Sequence, residues 1–304
     1  MNTKICKIIL FLFFLLFSGI GFFPIFGQTD PASNSGMVVL KNIPYVTDGQ
    51  IRQQLDLYLP EDYETAEKPY PLILIVHGGS WTSGNKDDNG FMASWLVPRG
   101  YIVAINNYRF LRDAFFPAQL QDCKSAVRWL KANADTYRID KTRFGAYGAS
   151  AGGQLVCMLG ATPHIKEFDV GEHLEQSSDI QVVANLFGVT CFVELLGARA
   201  QENDVPLELF GKRYLGPDVE NVVEVFQLLS PVTHAKTSVP TIIMHGTDDE
   251  VVPYEQSTLY VKALKEVGVD CELITVPDGK HTSKGFFTPE IISQVEAFYA
   301  KYLK

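Results

Sequence analysis

The 304 residues are 46% hydrophobic and 20% charged, with a formal net charge of −9. That is the balance of an ordinary globular chain, long enough for one large α/β domain or two small ones. The negative charge counts against nucleic acid and anionic membrane surfaces as partners, and five scattered cysteines without a CxxC spacing give no metal-ligand pattern.

The chain begins with Lys4 and Lys7 ahead of an unbroken apolar run at 8–17, which Ser18, Gly19, Gly21 and Pro24 interrupt before a small-residue cleavage point at Gly27-Gln28. Residues 1–27 therefore read as a secretory signal peptide, which implies a periplasmic or secreted protein. The alternative is an uncleaved anchor, since residues 8–26 are nearly long enough to span a bilayer; the glycines and proline of the second half weigh against it. Cys6 precedes the apolar run rather than following it, so lipid attachment is not indicated. Residues 28–36 form a polar linker, and 37–304 the folded domain, with no internal repeat.

Residues 38–45 and 51–59 read as an antiparallel strand pair around Thr47-Asp48-Gly49, the second placing Leu55, Leu57 and Leu59 on one face and Asp56 and Tyr58 on the other. The continuous apolar runs at 72–76 and 101–105 are central strands covered on both faces. A short helix fits 90–99 between them. Pro117-Ala118 opens a longer helix through Ala132, with Leu120, Cys123, Ala126, Val127 and Leu130 on one stripe; Asp122 in its first turns reads as a surface or capping charge. A strand at 143–147 runs into Gly148-Ala149-Ser150-Ala151-Gly152-Gly153, and a helical pattern leaves it. Residues 161–180 look like a surface excursion. A strand at 180–187 precedes an insertion of helical pieces at about 190–235, the kind of segment that caps an active site. Strands at 241–244 and 271–276, with helices at 254–267 and 291–302, complete an alternation that predicts a doubly wound, mostly parallel sheet.

In such a sheet the residues just past the strands' carboxyl ends share one edge. His77-Gly78-Gly79-Ser80-Trp81, Ser150, Asp248-Asp249 and His281 all occupy that position. A serine between small residues at a strand-to-helix turn is the nucleophile-elbow pattern, in which a tight, strained turn lifts the hydroxyl above the sheet edge. An alcohol needs a base, and the base needs a carboxylate to orient it. Ser150, then Asp248 or Asp249, then His281 supply these groups in the order used by α/β-hydrolases. The reaction also needs oxyanion donors: the N–H of Ala151, with those of Gly79 and Ser80 from the glycine-opened loop after the 72–76 strand. Cys123 and Cys157 fall in helical patterns as buried free thiols, and pairing among them, Cys191 and Cys271 is left open. His164, His173 and His234 lie in the insertions as solvated residues. Trp81 either lines a substrate pocket or packs in the core, and Phe192, Phe210, Tyr214 and Phe226 either contact an aromatic substrate or, as is commoner for such residues, pack the cap onto the body.

His77-Gly78-Gly79-Ser80-Trp81, the elbow at 147–153 and the stretch from His245 to Pro253 resemble α/β-hydrolase fold esterases with an H-G-G-x-W motif. Residues 116–133 with 137–140 resemble the bacterial branch related to feruloyl and acetyl-xylan esterases. The resemblance runs from about residue 40 to 303. It implies an α/β-hydrolase fold with a helical cap, a serine carboxylesterase using Ser150, Asp249 and His281, and no cofactor or metal. The family's H-G-x-x-D-x-x-V-P pattern, counted from His245, selects Asp249 and leaves Asp248 as a turn charge. It makes His77 a structural part of the oxyanion loop. The implied substrate is an acetyl or feruloyl ester, as a small molecule or on a polysaccharide, without nucleic acid or stable membrane association. One departure is that the family histidine often follows glycine directly, whereas here Lys280 intervenes. Aryl-formamide hydrolases and prolyl-type peptidases share the machinery. The export signal counts against the first, and the short stretch ahead of residue 37 against the second. A non-catalytic binding protein on this scaffold usually lacks a triad member, and none is lacking here.

Overall fold

The computed structural model describes residues 36–304; the expected signal peptide, and all of the linker but Gly36, lie outside the described residues. The strands are β1 (Met37–Pro44), β2 (Gln54–Pro60), β3 (Tyr70–Val76), β4 (Ile102–Asn106), β5 (Ile139–Ala149), β6 (Val182–Leu186), β7 (Thr241–Gly246) and β8 (Cys271–Val276). The helices are α1 (Phe91–Leu96), α2 (Ala118–Ala132), α3 (Ala134–Tyr137), α4 (Ala151–Ala161), α5 (Phe192–Glu202), α6 (Leu207–Leu215), α7 (Val222–Leu228), α8 (Glu255–Glu266) and α9 (Pro289–Leu303). The strands make one sheet in the order β1-β2-β4-β3-β5-β6-β7-β8. β1 and β2 join antiparallel and the remaining neighbours from β4 to β8 are parallel. This is the α/β-hydrolase fold. Among the described residues no helix is long and apolar enough to cross a membrane.

The sheet has a buried layer on each face. Leu72, Leu74 and Val76 of β3 pack with Leu155 and Leu159 of α4 and with Leu120, Cys123 and Leu130 of α2. Ile73 and Ile75 face the other way, onto Met92 and Leu96 of α1 and Val295, Phe298 and Leu303 of α9. A strand covered on both faces has no alternation to keep, which is why β3 and β4 read as continuous apolar runs. β2 is covered on both faces as well: its leucines point into the first layer and Tyr58 into the second. Asp56, buried on the Tyr58 side, is neutralised by Lys41 (2.7 Å) and Lys86 (2.9 Å).

One expectation from the sequence changes. Asp122 is not a surface charge. It is buried, and the Arg109 guanidinium grips it with Nη2 at 2.8 Å and Nε at 3.0 and 3.1 Å, while Arg109 N and Gln53 Nε2 also donate to it. Placed in the second turn of α2, it faces the loop after β4 rather than water and anchors that loop. The 161–180 excursion lies largely at the surface, and Asp169 anchors it to the body by pairing with the buried Lys124 (3.4 Å) and Arg128 (3.1 Å) of α2. Cys123, Cys157, Cys191 and Cys271 are free thiols, the first two buried.

The strand order reverses around β3. The chain goes from β3 outward to β4, then returns to place β5 on the opposite side of β3. In open α/β sheets such a reversal is where ligands bind, outside the carboxyl ends of the strands. Val76 pairs with Gly148, and Gly148 with Asn185, so the residues following β3, β5 and β6 emerge side by side.

Candidate active site

Ser150 joins β5 to α4 with φ 55° and ψ −120°, outside the regions a side-chain-bearing residue prefers. The fold enforces this by close backbone approach. A Cβ on Gly148 would lie 2.2 Å from Gly152 O, and one on Gly152 would lie 2.1 Å from Val76 O. Only glycine lets β5, α4 and β3 meet at that distance, and the meeting thrusts Ser150 Oγ away from the sheet. Ser150 N donates to Leu186 O (2.9 Å), which ties the turn to β6.

His281 stands in the loop after β8, with Nε2 2.9 Å from Ser150 Oγ and Nδ1 2.7 Å from Asp249 Oδ2. Asp249 is buried. Its Oδ1 accepts Val251 N (2.9 Å) and Val252 N (2.8 Å). Burial pushes this carboxyl up, but the hydrogen bonds from His245, from His281 and from the Val252 backbone outweigh that and hold it well below the usual carboxylate range. An ionised Asp249 fixes the proton of His281 on Nδ1 and leaves Nε2 to accept from Ser150. Asp248 is exposed and donates its N–H to Gly279 O (3.0 Å) in the turn. The interposed Lys280 is explained here. Gly279 lies against Gly246, where a Cβ on Gly246 would come within 2.1 Å of Gly279 O, so the glycine serves the packing of the two loops.

The loop after β3 brings Gly79, Ser80 and Trp81 in succession at φ 111°, 52° and 59°. Gly79 O accepts Thr82 N and Ser83 N, both at 2.9 Å, so its carbonyl is turned into the 80–83 turn. Among the described residues, Gly79 N and Ser80 N donate to no protein acceptor. Ala151 N is the first N–H of α4, one of the groups a helix start leaves without an intrahelical partner. His77 braces the loop from beneath. Its Nδ1–H donates to Gly78 O (2.7 Å), its Nε2 accepts from Arg52 Nη2 (3.0 Å), and its ring stacks on Tyr108 with centroids 4.3 Å apart. Burial pushes its pKa down to about 3, so it stays neutral. Trp81 is buried: it packs against Phe116 and Phe192, and its Nε1 donates to Gln154 Oε1 (3.2 Å). Gln154 Nε2 in turn donates to Leu229 O (3.0 Å), linking α4 to the end of the cap. Phe192 also stacks on Phe226 at 5.4 Å. His164 is exposed, His173 pairs loosely with Glu175 (3.7 Å), and His234 Nε2 meets Leu228 O (2.7 Å).

Two neighbours escaped the sequence. Phe187, just past β6, lays its ring against His281 at 4.3 Å between centroids and holds φ 40° to do so. His245 lies with Nε2 3.3 Å from Asp249 Oδ2. The i,i+4 spacing of His245 and Asp249 across the end of β7 was the available signal for the second; none marked the first. A cavity of about 500 Å³ lined by Phe91, Trp95, Arg99, Ile292 and Glu296, between α1 and α9, contains none of these groups. The site is defined by its hydrogen-bond chain rather than by volume.

A family model described as BD-FAE matches residues 55–264. The chain belongs to the BD-FAE family. The matched stretch includes Gly79, Ser80, Ser150, Ala151 and Asp249 and ends before His281. Esterase LipC of Mycobacterium tuberculosis is 27% identical over 217 residues, 71% of this chain and 53% of its own length. This BD-FAE chain spans about half the length of the curated relatives it matches. Among solved structures, a truncated form of a carbohydrate esterase from gut microbiota superposes with a TM-score of 0.76 at 27% identity, covering 89% of this chain and 98% of that one. An acetyl ester-xyloside bifunctional hydrolase from Caldicellulosiruptor lactoaceticus gives 0.67 at 26% identity, covering 82% and 87%.

Proposed function

We propose that this BD-FAE protein is a serine carboxylesterase that removes acetyl or feruloyl groups from carbohydrate, working outside the cytoplasm. The observation that carries the reaction class is the continuous chain from Ser150 Oγ through His281 to Asp249, at 2.9 and 2.7 Å. In this reading Ser150 attacks the ester carbonyl as His281 Nε2 takes its proton. The N–H groups of Gly79, Ser80 and Ala151 donate to the carbonyl oxygen as negative charge develops on it. His281 then returns the proton to the departing sugar hydroxyl, and an acyl group remains on Ser150. Water, deprotonated by the same imidazole, releases the carboxylic acid and restores the serine. Asp249 stays ionised throughout. The carbohydrate and acetyl-ester activities in the names of the structural neighbours support the substrate class, and the basic-then-apolar start of the chain supports export.

A fluorophosphonate probe should label the wild type and leave Ser150→Ala unlabelled. Turnover of p-nitrophenyl acetate should fall by about three orders of magnitude or more in Ser150→Ala and in Asp249→Asn, while Asp248→Asn stays within about two-fold of wild type. Equal labelling of wild type and Ser150→Ala would end the serine-hydrolase reading. Acetylated xylan compared with methyl ferulate resolves the acyl group, and a preference for N-formylkynurenine or a proline anilide over both would overturn the ester assignment.

A further inference from the structure

We propose that His245 is a positioning residue for the Asp249–His281 pair, offering the carboxylate a second imidazole N–H while Ser257 fixes which nitrogen carries that proton. The inference rests on the serine-esterase reading of the site. Its geometry is a relay that continues beyond Asp249 into the body of the protein. Ser257 Oγ, on α8, lies 2.6 Å from His245 Nδ1. His245 Nε2 faces two acceptors, Val252 O at 2.9 Å and Asp249 Oδ2 at 3.3 Å. Carbonyl and carboxylate oxygens only accept, so the proton of His245 sits on Nε2 and Nδ1 accepts from the Ser257 hydroxyl. All three residues are buried, so no water competes for these bonds.

The consequence lies in the sharing of Oδ2. His281 Nδ1 and His245 Nε2 approach the same oxygen, while Oδ1 is occupied by the Val251 and Val252 amides. With two amides on Oδ1, His281 on Oδ2 and the His245 imidazole 3.3 Å from that same oxygen, the carboxylate is held against rotation, and part of its charge is already answered before His281 becomes cationic. The burial cost of the anion is offset in the same way: hydrogen bonds from both imidazoles appear among the causes that keep the Asp249 carboxyl low. Other ionisable groups nearby stand further out. Asp248 and Glu250 are exposed on the same loop, Arg199 of α5 donates to Val251 O (2.5 Å), and Tyr254 at the start of α8 lies edge-on to His245 at 5.6 Å. None of these donates to the carboxylate.

A purely structural role for His245 is the competing account, since its bond to Val252 O staples the 249–252 turn to β7. The two accounts differ in the pH profile. If His245 N–H answers part of the Asp249 charge, its loss leaves more of that charge for the imidazolium of His281, and the acid limb of kcat/KM moves to higher pH. A loosened staple lowers stability and the fraction of competent enzyme without moving that limb.

The test uses His245→Leu, which has no donor, His245→Gln, which restores an N–H, and Ser257→Ala, which removes only the hydroxyl that fixes the tautomer. Each is assayed with p-nitrophenyl acetate from acid to neutral pH, with rates normalised to Ser150 titrated by a fluorophosphonate. For His245→Leu, kcat per titrated serine should fall by about ten- to a hundred-fold with KM within about two-fold, and the acid limb should rise by about half a unit or more. Ser257→Ala should move the limb the same way by less, and His245→Gln should recover most of the lost rate. If His245→Leu does not fold, the limb in Ser257→Ala decides. Superposition of the acid limbs of Ser257→Ala and every foldable His245 variant on the wild type would overturn the proposal. Wild-type titration at Ser150 reports separately on the reading beneath it.

Discussion

Phe187 shows how a single residue is held against its preference for the sake of a neighbour. A φ of 40° is uncommon for a bulky side chain and costs on the order of 1 kcal/mol or more. The main chain is held there by Phe187 N donating to Met244 O (2.8 Å) and by Gly188 N donating to Asn185 Oδ1 (2.9 Å). In return the buried ring forms a wall between the imidazole of His281 at 4.3 Å and the ring of Phe286 at 5.4 Å. Phe187→Gly removes both the strain and the wall. Deleting a buried phenyl ring costs about 3–5 kcal/mol, and relief of the backbone returns about 1, so a net loss of about 2–4 kcal/mol is expected in urea unfolding. The imidazole then loses its packing on one face, and kcat per titrated Ser150 should fall by about ten-fold. Unchanged turnover in a destabilised protein would reduce Phe187 to a core residue.

At the scale of elements, the elbow is a three-way backbone contact, and its glycines are not equivalent to glycines elsewhere. Gly152 sits in the first turn of α4, and a methyl there would lie 2.1 Å from Val76 O and 2.6 Å from His77 O. Those atoms are main chain of β3 and of the loop after it, so neither side can yield by rotating a side chain. Gly152→Ala should push α4 off β3, misalign Ser150 with His281 and the loop amides together, and slow fluorophosphonate labelling by about a hundred-fold or more. Gly197 in α5 is the contrasting case: a methyl added there would meet nothing within 4 Å. Gly197→Ala should raise stability by about 0.5–1 kcal/mol, measured by thermal or urea unfolding, and leave labelling unchanged. If both substitutions behaved alike, the close approach at the elbow would not be what holds the serine.

At the scale of the whole molecule, the sequence exposed whatever depends on local pattern. Apolar runs gave β3 and β4, turn glycines gave the loops, and the placement of Ser150, Asp249 and His281 after strands gave the edge at which they meet. Hidden were the effects of distant packing. Asp122 looked like a surface charge because nothing local announces that Arg109, from the loop after β4, will close over it. Likewise nothing local says that Phe187 will meet His281 or that Asp169 will reach the buried cations of α2. His77 joins both levels: its place in the loop after β3 was legible, but its neutrality is a property of the folded state. Burial takes its pKa from 6.5 to about 3, helped by the Arg52 charge and opposed by its bond to Gly78 O. Between those two values the unfolded chain binds a proton that the folded protein refuses. Stability therefore rises with pH across the window and is lost as pH falls from about 6.5 toward 3, by at most about 1.4 kcal/mol per unit. The depressed carboxyls of Asp56, Asp169 and Asp249 act lower down: their contribution is present above the ordinary carboxylate range and is lost as pH falls through their folded values. The two effects separate in a series of urea unfolding curves from pH 7 to 4.5. Wild type should lose stability steadily over that range, whereas His77→Gln, weaker at neutral pH because it gives up the Tyr108 stack, should show a shallower slope. Parallel slopes for the two proteins would mean that His77 takes up its proton in the folded state, and that the loop after β3 tolerates a charge beside Arg52.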